Sequence, residues 1–341
     1  PLKNIKNENN LFKINGKITN DENDNNFDLL NNLFGESLKN LKIDNINFKS
    51  ENDFSFDVNK KFKIDNFNLK SIIDLDTLNY NNTYSNLEKY FPTYKNSIKL
   101  KNNKVLINYN KDKFDIVGKG LISIEDKADE IEYEIIKKDS KYTFDTNFNL
   151  KNNSILIDSL KYKKDEGSNS SLQITGVYKK NKKISFSQIS FKEKKNKFLI
   201  KELYLDSKYK ILDIKSLNLN FINNDKVLNK IILKKNKKNY SISGKSFDAS
   251  NLIDKSLNDE SKTSSSIFEN LNSIFTIKID KTYLDKDVFV NNLNGNIKFK
   301  KNKIDKLNLS SIFSNKKKLN LTINTNNKNE KITTLFSEYP K

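Results

Sequence analysis

Three stretches of this sequence combine residue types and spacings that chemistry uses. Gly244-Lys245-Ser246 matches the end of a phosphate-binding loop, in which backbone amides and a lysine hold phosphates. The glycine such a loop needs upstream falls at Asn239. Gly118-Lys119-Gly120 is a shorter fragment of the same pattern. Asp21/Glu22/Asp24 and Glu125/Asp126/Asp129/Glu130 gather carboxylate oxygens of the kind calcium takes, but without EF-hand spacing, and acidic turns between strands carry the same letters. Paired carboxylates for glycoside chemistry would require the fold to converge two acids; their even scatter among lysines fits a solvated face. The chain has no His and no Cys. That excludes a thiolate nucleophile, a disulfide, an imidazole base and an ordinary structural zinc site. The expectation is a protein that is not an enzyme and uses no cofactor or metal.

The elements that would have to position such residues are strands. Short runs rich in Ile, Phe, Leu, Val and Tyr alternate with period two between Asn, Asp, Lys and Gly, as in Phe275/Ile277/Ile279, Val288/Val290 and Leu319/Leu321/Ile323. This is the pattern of half-buried antiparallel strands with one wet face. Only three prolines interrupt it. A repeat with apolar residues at +2, +5 and +7 occurs at Leu41/Ile43/Ile46/Phe48, Phe62/Ile64/Phe67/Leu69, Ile155/Ile157/Leu160/Tyr162, Ile184/Phe186/Ile189/Phe191, Phe198/Ile200/Leu203/Leu205 and Leu212/Ile214/Leu217/Leu219. A partial copy is Ile304/Leu307/Leu309. The +3 step would turn the second pair to the opposite face of a regular strand, so the extra residue, at Asp44 or Asn45 in the first copy, must be absorbed by a bulge or bend. Five of the eight glycines follow an alternating run, at Gly16, Gly118, Gly176, Gly244 and Gly295, where glycine marks a bulge or sharp bend. Helical spacing is confined to Phe27/Leu30/Leu33/Phe34/Leu38, to Tyr84/Leu87/Tyr90/Phe91 before Pro92, and to 249–257.

The chain has 341 residues, with 62 Lys+Arg against 43 Asp+Glu and a net charge of +19. Every basic residue is Lys, and Ala and Gln nearly vanish, as an AT-biased genome would dictate. Much of the charge is therefore background. Lysine runs at 179–183, 192–197, 234–238 and 316–318 fall at polar tips between strands, where Lys discourages edge pairing. Without Arg there is no bidentate reader of phosphate or guanine, so nucleic acid is not an expected partner; transient attraction to acidic headgroups is compatible. Hydrophobic residues are 35% of the chain. Removing Tyr and Ala leaves roughly 30%, above the ~20% that marks disorder. The length suits two ordinary domains or one extended one, and the reading is a single elongated segment, 1–341, with a loop break at 258–266. The start at Pro1 suggests an excised or processed chain. No signal peptide or apolar run near ~18 residues is present.

A long sheet with one apolar face needs a covering layer, and the helices expected here are few and short. Either the sheet folds on itself, or its apolar face lines a groove. The residues that would line it are Ile43, Ile46, Phe48, Ile64, Phe67, Leu69, Ile157, Leu160, Tyr162, Ile200, Leu203, Leu205, Ile214, Leu217 and Leu219. The block from Tyr240 through Gly244-Lys245-Ser246-Phe247-Asp248-Ala249-Ser250-Asn251-Leu252-Ile253 resembles a segment of AsmA-like proteins of the YhdP and TamB type. Similar to that family, a polar loop follows, then Ile274-Phe275-Thr276-Ile277 and 288–295. The resemblance extends as pattern over about residues 40–341 and as a local motif over 244–253. It implies a twisted antiparallel β-groove in the periplasm, attached to the inner membrane by an anchor outside this segment, that passes phospholipid acyl chains toward the outer membrane. The alternative from the residues alone is a structural or adhesive β-repeat protein with a dry interior.

Overall fold

The computed structural model describes residues 12–21, 43–81, 87–92, 94, 97–124, 127–179, 184–258, 268–326, 328 and 330–338. Strand makes up 73% and helix 3%. The fold is all-β, as alternation with period two requires. The chain divides into two compact units, Pro1–Ile155 with Asp165–Lys180, and Leu156–Lys164 with Asn181–Lys341.

The first unit holds β1 (Phe12–Asn20), β2 (Ile43–Val58), β3 (Ile64–Asn81), β4 (Ser97–Tyr109), β5 (Phe114–Ser123), β6 (Ala128–Lys138), β7 (Lys141–Leu150) and β10 (Ser170–Lys179). Each pairs antiparallel with the next in that order. Between β7 and β10 comes an excursion, β8 (Ile155–Ile157), a single 3-10 turn (Asp158–Leu160) and β9 (Tyr162–Lys164). Its Leu156–Lys164 portion belongs to the second unit.

The second unit continues with β11 (Ile184–Glu193), β12 (Asn196–Leu205), β13 (Ile211–Ile222), β14 (Leu228–Asn236), β15 (Asn239–Asp248), α1 (Ser250–Asn258), β16 (Ile274–Tyr283), β17 (Phe289–Lys300), β18 (Lys303–Ile312), β19 (Lys318–Thr325) and β20 (Lys331–Ser337). All neighbours pair antiparallel except β15 and β16, which are parallel. Parallel strands cannot be joined by a hairpin. Here the chain crosses over through α1 and returns along 268–273, a departure from the uniform run of hairpins expected from the repeat.

The +3 step of the repeat is absorbed as its physics demands. In β2 the register skips from Ile43 to Asn45. Left-handed backbone at Asn66 (φ 50°) and Glu202 (φ 49°) does the same work in two other copies, and in the copy at 155–162 the step is taken up by the 3-10 turn Asp158–Leu160. Across β11, β12 and β13 the steps lie side by side. Phe186 faces Leu203, which faces Ile214, and beyond the step Ile189 faces Ile200, which faces Leu217. Both apolar pairs of each strand therefore stay on one face.

Four of the strand glycines are of two kinds. Gly16 and Gly118 lie under the rings of the cross-strand partners Phe54 and Tyr133, where a Cβ would collide with the ring. At Gly244 and Gly295 a Cβ would strike the backbone of the neighbouring strand, and Gly295 also has φ +146°. Gly244-Lys245-Ser246 is thus part of a paired strand, with Ser246 Oγ donating to the Leu228 carbonyl at 2.5 Å. That removes the phosphate-loop reading, which needs free amides at a helix start.

Of the helical expectations, 249–257 is met by α1. Tyr90 and Phe91 donate to the Leu87 carbonyl in one helical turn before Pro92, and Tyr94 donates to the Phe91 carbonyl beyond it. Phe27/Leu30/Leu33/Phe34/Leu38, Tyr84 and Leu41 lie outside the described residues, as does the 258–266 break apart from Asn258. Two of the lysine tips are turns at 194–195 and 237–238, Lys316–Lys318 follows a turn at 314–315, and 180–183 lie outside the described residues.

Candidate functional site

The second unit has a mostly polar face, interrupted by Leu199 and Ile232, and an apolar one. On one, Lys201, Ser216, Lys234, Ser241, Thr276, Asn296, Asn308, Thr322 and Thr334 lie side by side from β12 to β20. On the other runs an apolar row. Ile189, Ile200, Leu217, Leu233 and Ile242 carry it across β11 to β15, and Ile277, Leu309, Leu321 and Leu335 extend it to β20, with Gly295 at β17. Nine of the ten strands contribute an apolar side chain, and β17 contributes only the backbone of Gly295. Residues of this row from β11 to β15 are half-buried, and Leu335 at the end is 66% exposed.

Parallel rows on either side are more deeply packed. On one side Phe191, Phe198, Leu219, Ile231 and Ile279 are buried, Leu219 and Ile279 to 4%. Tyr162, from the 156–164 excursion, lies over this side at 1% exposure. Its ring sits 4.8 Å from Phe198, 5.7 Å from Phe221 and 6.1 Å from Phe191. Its hydroxyl donates to Glu193 at 2.7 Å, and Asn196 donates to the same carboxylate oxygen at 2.9 Å. Burial, then the Glu193 carboxylate, push the Tyr162 phenol far above its ordinary range. The excursion is pinned by Lys161 to Asp225 at 2.8 Å and by Asn251 to the Asp158 carbonyl at 2.5 Å.

On the other side Leu203, Ile214, Tyr240 and Phe275 form a buried cluster with Leu271, and Phe268 packs against it. Tyr240 stacks on Phe275 at 4.7 Å. The returning segment 268–273 that carries Phe268 and Leu271 is clamped by Asn302. Its side chain accepts from Leu271 N at 2.5 Å and donates to the Phe268 and Glu269 carbonyls at 3.0 and 3.1 Å. Tyr240 also reaches polar ground: its hydroxyl donates to Asp213 at 3.1 Å, and Lys235 donates to the same carboxylate at 2.5 Å. Burial and the Asp213 charge push the Tyr240 phenol up to about 12.

The expected lining residues fall into two sets. Ile200 and Leu217 are in the middle row; Leu203, Ile214 and Leu219 are in the buried rows; Leu205 pairs with Ile211 at the strand end. Ile157 and Leu160 are half-buried in the excursion beside Tyr162. Ile43, Ile46, Phe48, Ile64, Phe67 and Leu69 belong to the sheet of the first unit. There Ile46 aligns with Leu78, Leu100 and Ile122, and Phe48 with Leu75. Phe54, Phe56, Phe67, Tyr109 and Phe114 form a string of ring contacts at 5.9 to 6.3 Å, while Ile64 at 63% exposure lies open to water.

Two polar knots escaped the residue pattern. Asp129, one of the calcium candidates, is 2% exposed and accepts from the amides of Lys151, Asn152 and Asn153 and from the Asn153 side chain. It shapes a turn. Among the described residues no group of three or more metal-ligating side chains occurs. Asp248, in the 244–253 motif, accepts from Asn223 at 2.7 Å and from Ser250 Oγ at 2.5 Å and N at 3.0 Å, fixing the start of α1. A buried acid ringed by Asn and Ser is the only sequence signal for either knot. No protein-family model, curated protein or solved structure matches the chain.

Proposed function

We propose that this chain is a non-enzymatic conduit for phospholipid, with acyl chains lying along the middle apolar row of the second unit. One observation carries the reading: nine of the ten strands place an apolar side chain in one row, with Gly295 at β17, and although Ile277 is buried at 8% the other side chains of the row stay partly open beside more deeply covered rows. At ~4.8 Å between strands the row runs roughly 43 Å. An acyl chain spans about half of the ~30 Å hydrocarbon core of a bilayer, so the row is longer than one chain and a lipid has room to slide. Each buried CH₂ contributes about 0.8 kcal/mol, enough to hold a chain with no polar site along the row. The AsmA-like resemblance at 244–253 supports the same reading, and with it a periplasmic place between the two membranes and attachment through a segment outside this one.

The test is lipid mass spectrometry on the purified full chain, parent against Ile200→Asp and Leu217→Asp, with strand content checked by circular dichroism. The parent carries lipid and both folded variants lose most of it. A parent without lipid, or folded variants with undiminished lipid, would refute the conduit. The depth of burial at Leu219 and Ile279 favours a second reading, a structural β-repeat with a dry interior, which the lipid-free parent would establish.

A further inference from the structure

The middle row accounts for acyl chains and leaves a headgroup unplaced. Where the β14–β15 turn meets the returning segment lies a cavity of about 220 Å³, lined by Lys235, Lys237, Lys238, Asp213, Tyr240 and Leu271 among others. At ~30 Å³ per water it holds roughly seven water volumes, enough for a phosphodiester and part of its substituent. Its charges are lopsided. Asp213 is the one acid in the lining and is already engaged by Lys235 and the Tyr240 hydroxyl. Among the described residues, Lys237 and Lys238 meet no carboxylate within ion-pair distance. Glu269, in the returning segment, is engaged by Lys210 at 3.3 Å.

The cavity is also joined to the apolar row. Tyr240, Leu271 and Phe268 line it and belong to the same cluster as Leu217, Leu233 and Ile242 of the row. Its wall is held by the Asn302 clamp. On the opposite rim the comparable lysine, Lys161, is taken by Asp225. We infer that the Lys237–Lys238 cavity receives the anionic headgroup of a phospholipid whose chains lie on the adjoining row, an assignment that rests on the conduit reading above.

The full chain would be incubated with vesicles of equal parts dioleoylphosphatidylglycerol and dioleoylphosphatidylcholine, recovered, and its lipid quantified by mass spectrometry. The parent takes up phosphatidylglycerol preferentially. Lys237→Gln with Lys238→Gln reduces that preference about 30-fold, the equivalent of two lysines near an anionic lipid, and keeps phosphatidylcholine uptake. Lys194→Gln with Lys195→Gln, at a turn on the opposite rim, keeps the preference and so controls for the general positive charge. Unchanged preference in the first pair, equal loss in both pairs, or loss on adding excess inorganic phosphate would overturn the assignment, the last by revealing a site for free anions. Uptake of both lipids equally defeats the headgroup site alone, whereas uptake of neither defeats the conduit.

Discussion

Replacing Asp129 by Asn tests how much of the first unit depends on one buried carboxylate. Oδ1 accepts the amides of Lys151 and Asn152, both at 2.8 Å. Oδ2 accepts the Asn153 amide at 3.1 Å and its side-chain amide at 2.6 Å. Four donors converge, so whichever way an asparagine is turned, its NH₂ confronts two N–H groups. Hydrogen bonds to a charged group are worth about 1.5–3 kcal/mol each, so losing two costs about 3–6 kcal/mol. Total folding stabilities are about 5–15 kcal/mol. The variant therefore shows a large drop in the urea midpoint of the full chain followed by far-ultraviolet circular dichroism. Asn152→Ala, which removes only a bond to the Ala128 carbonyl at 2.7 Å, costs about 1 kcal/mol. Because the carboxylate is fully used by donors, millimolar calcium leaves the parent's melting temperature unchanged, whereas a ligand bound to the native state would raise it. An Asp129→Asn loss below about 1 kcal/mol, or a calcium-dependent rise, would refute the reasoning.

Gly295→Ala puts a Cβ against the Asn308 carbonyl at a φ of +146° and destabilises the second unit by about 3 kcal/mol; in thermal melts, Gly167→Ala, with φ +80° but open space around it, costs less. The raised Tyr240 phenol gives a pH dependence: between its ordinary value of 10 and about 12 the unfolded chain loses this proton while the folded chain keeps it. Its contribution to stability is thus complete below pH 10 and declines as pH rises toward 12. Ultraviolet titration should show a tyrosine ionising near 12 that Tyr240→Phe abolishes, with Tyr162 ionising later still.

The fold class was legible because alternation with period two and the +3 step are local geometry: Ile43 to Asn45, Asn66 and Glu202 absorb the extra residue where the repeat required it. So was the choice of face, since Ile200, Leu203, Ile214 and Leu217 could share one only through such a bend. The crossover was not legible. Nothing in Asp248 or Ile274 states that β16 lies parallel to β15, because strand direction is a property of the partner. Nor could the pattern distinguish Leu217, half-open, from Leu219, buried beneath Tyr162's side of the sheet, since both have the same spacing and the cover arrives from the distant 156–164 excursion. The Lys237–Lys238 cavity was hidden in a lysine run that looked like the others; only the pairing of Asp213 with Lys235 sets it apart.

The parallel pair also governs time. In a meander each strand adds to the hairpin just made, so Asn236 finds Asn239 across a two-residue turn. Tyr240 must instead wait for Phe275, and closing that longer loop costs entropy before any ladder bond repays it. The second unit thus contains two fast zippers, β11 to β15 and β16 to β20, joined by one slow latch. Until the latch closes, β15 and β16 each present a bare edge at the middle of the apolar row, which makes this junction the place where the nascent chain is most open to mispairing.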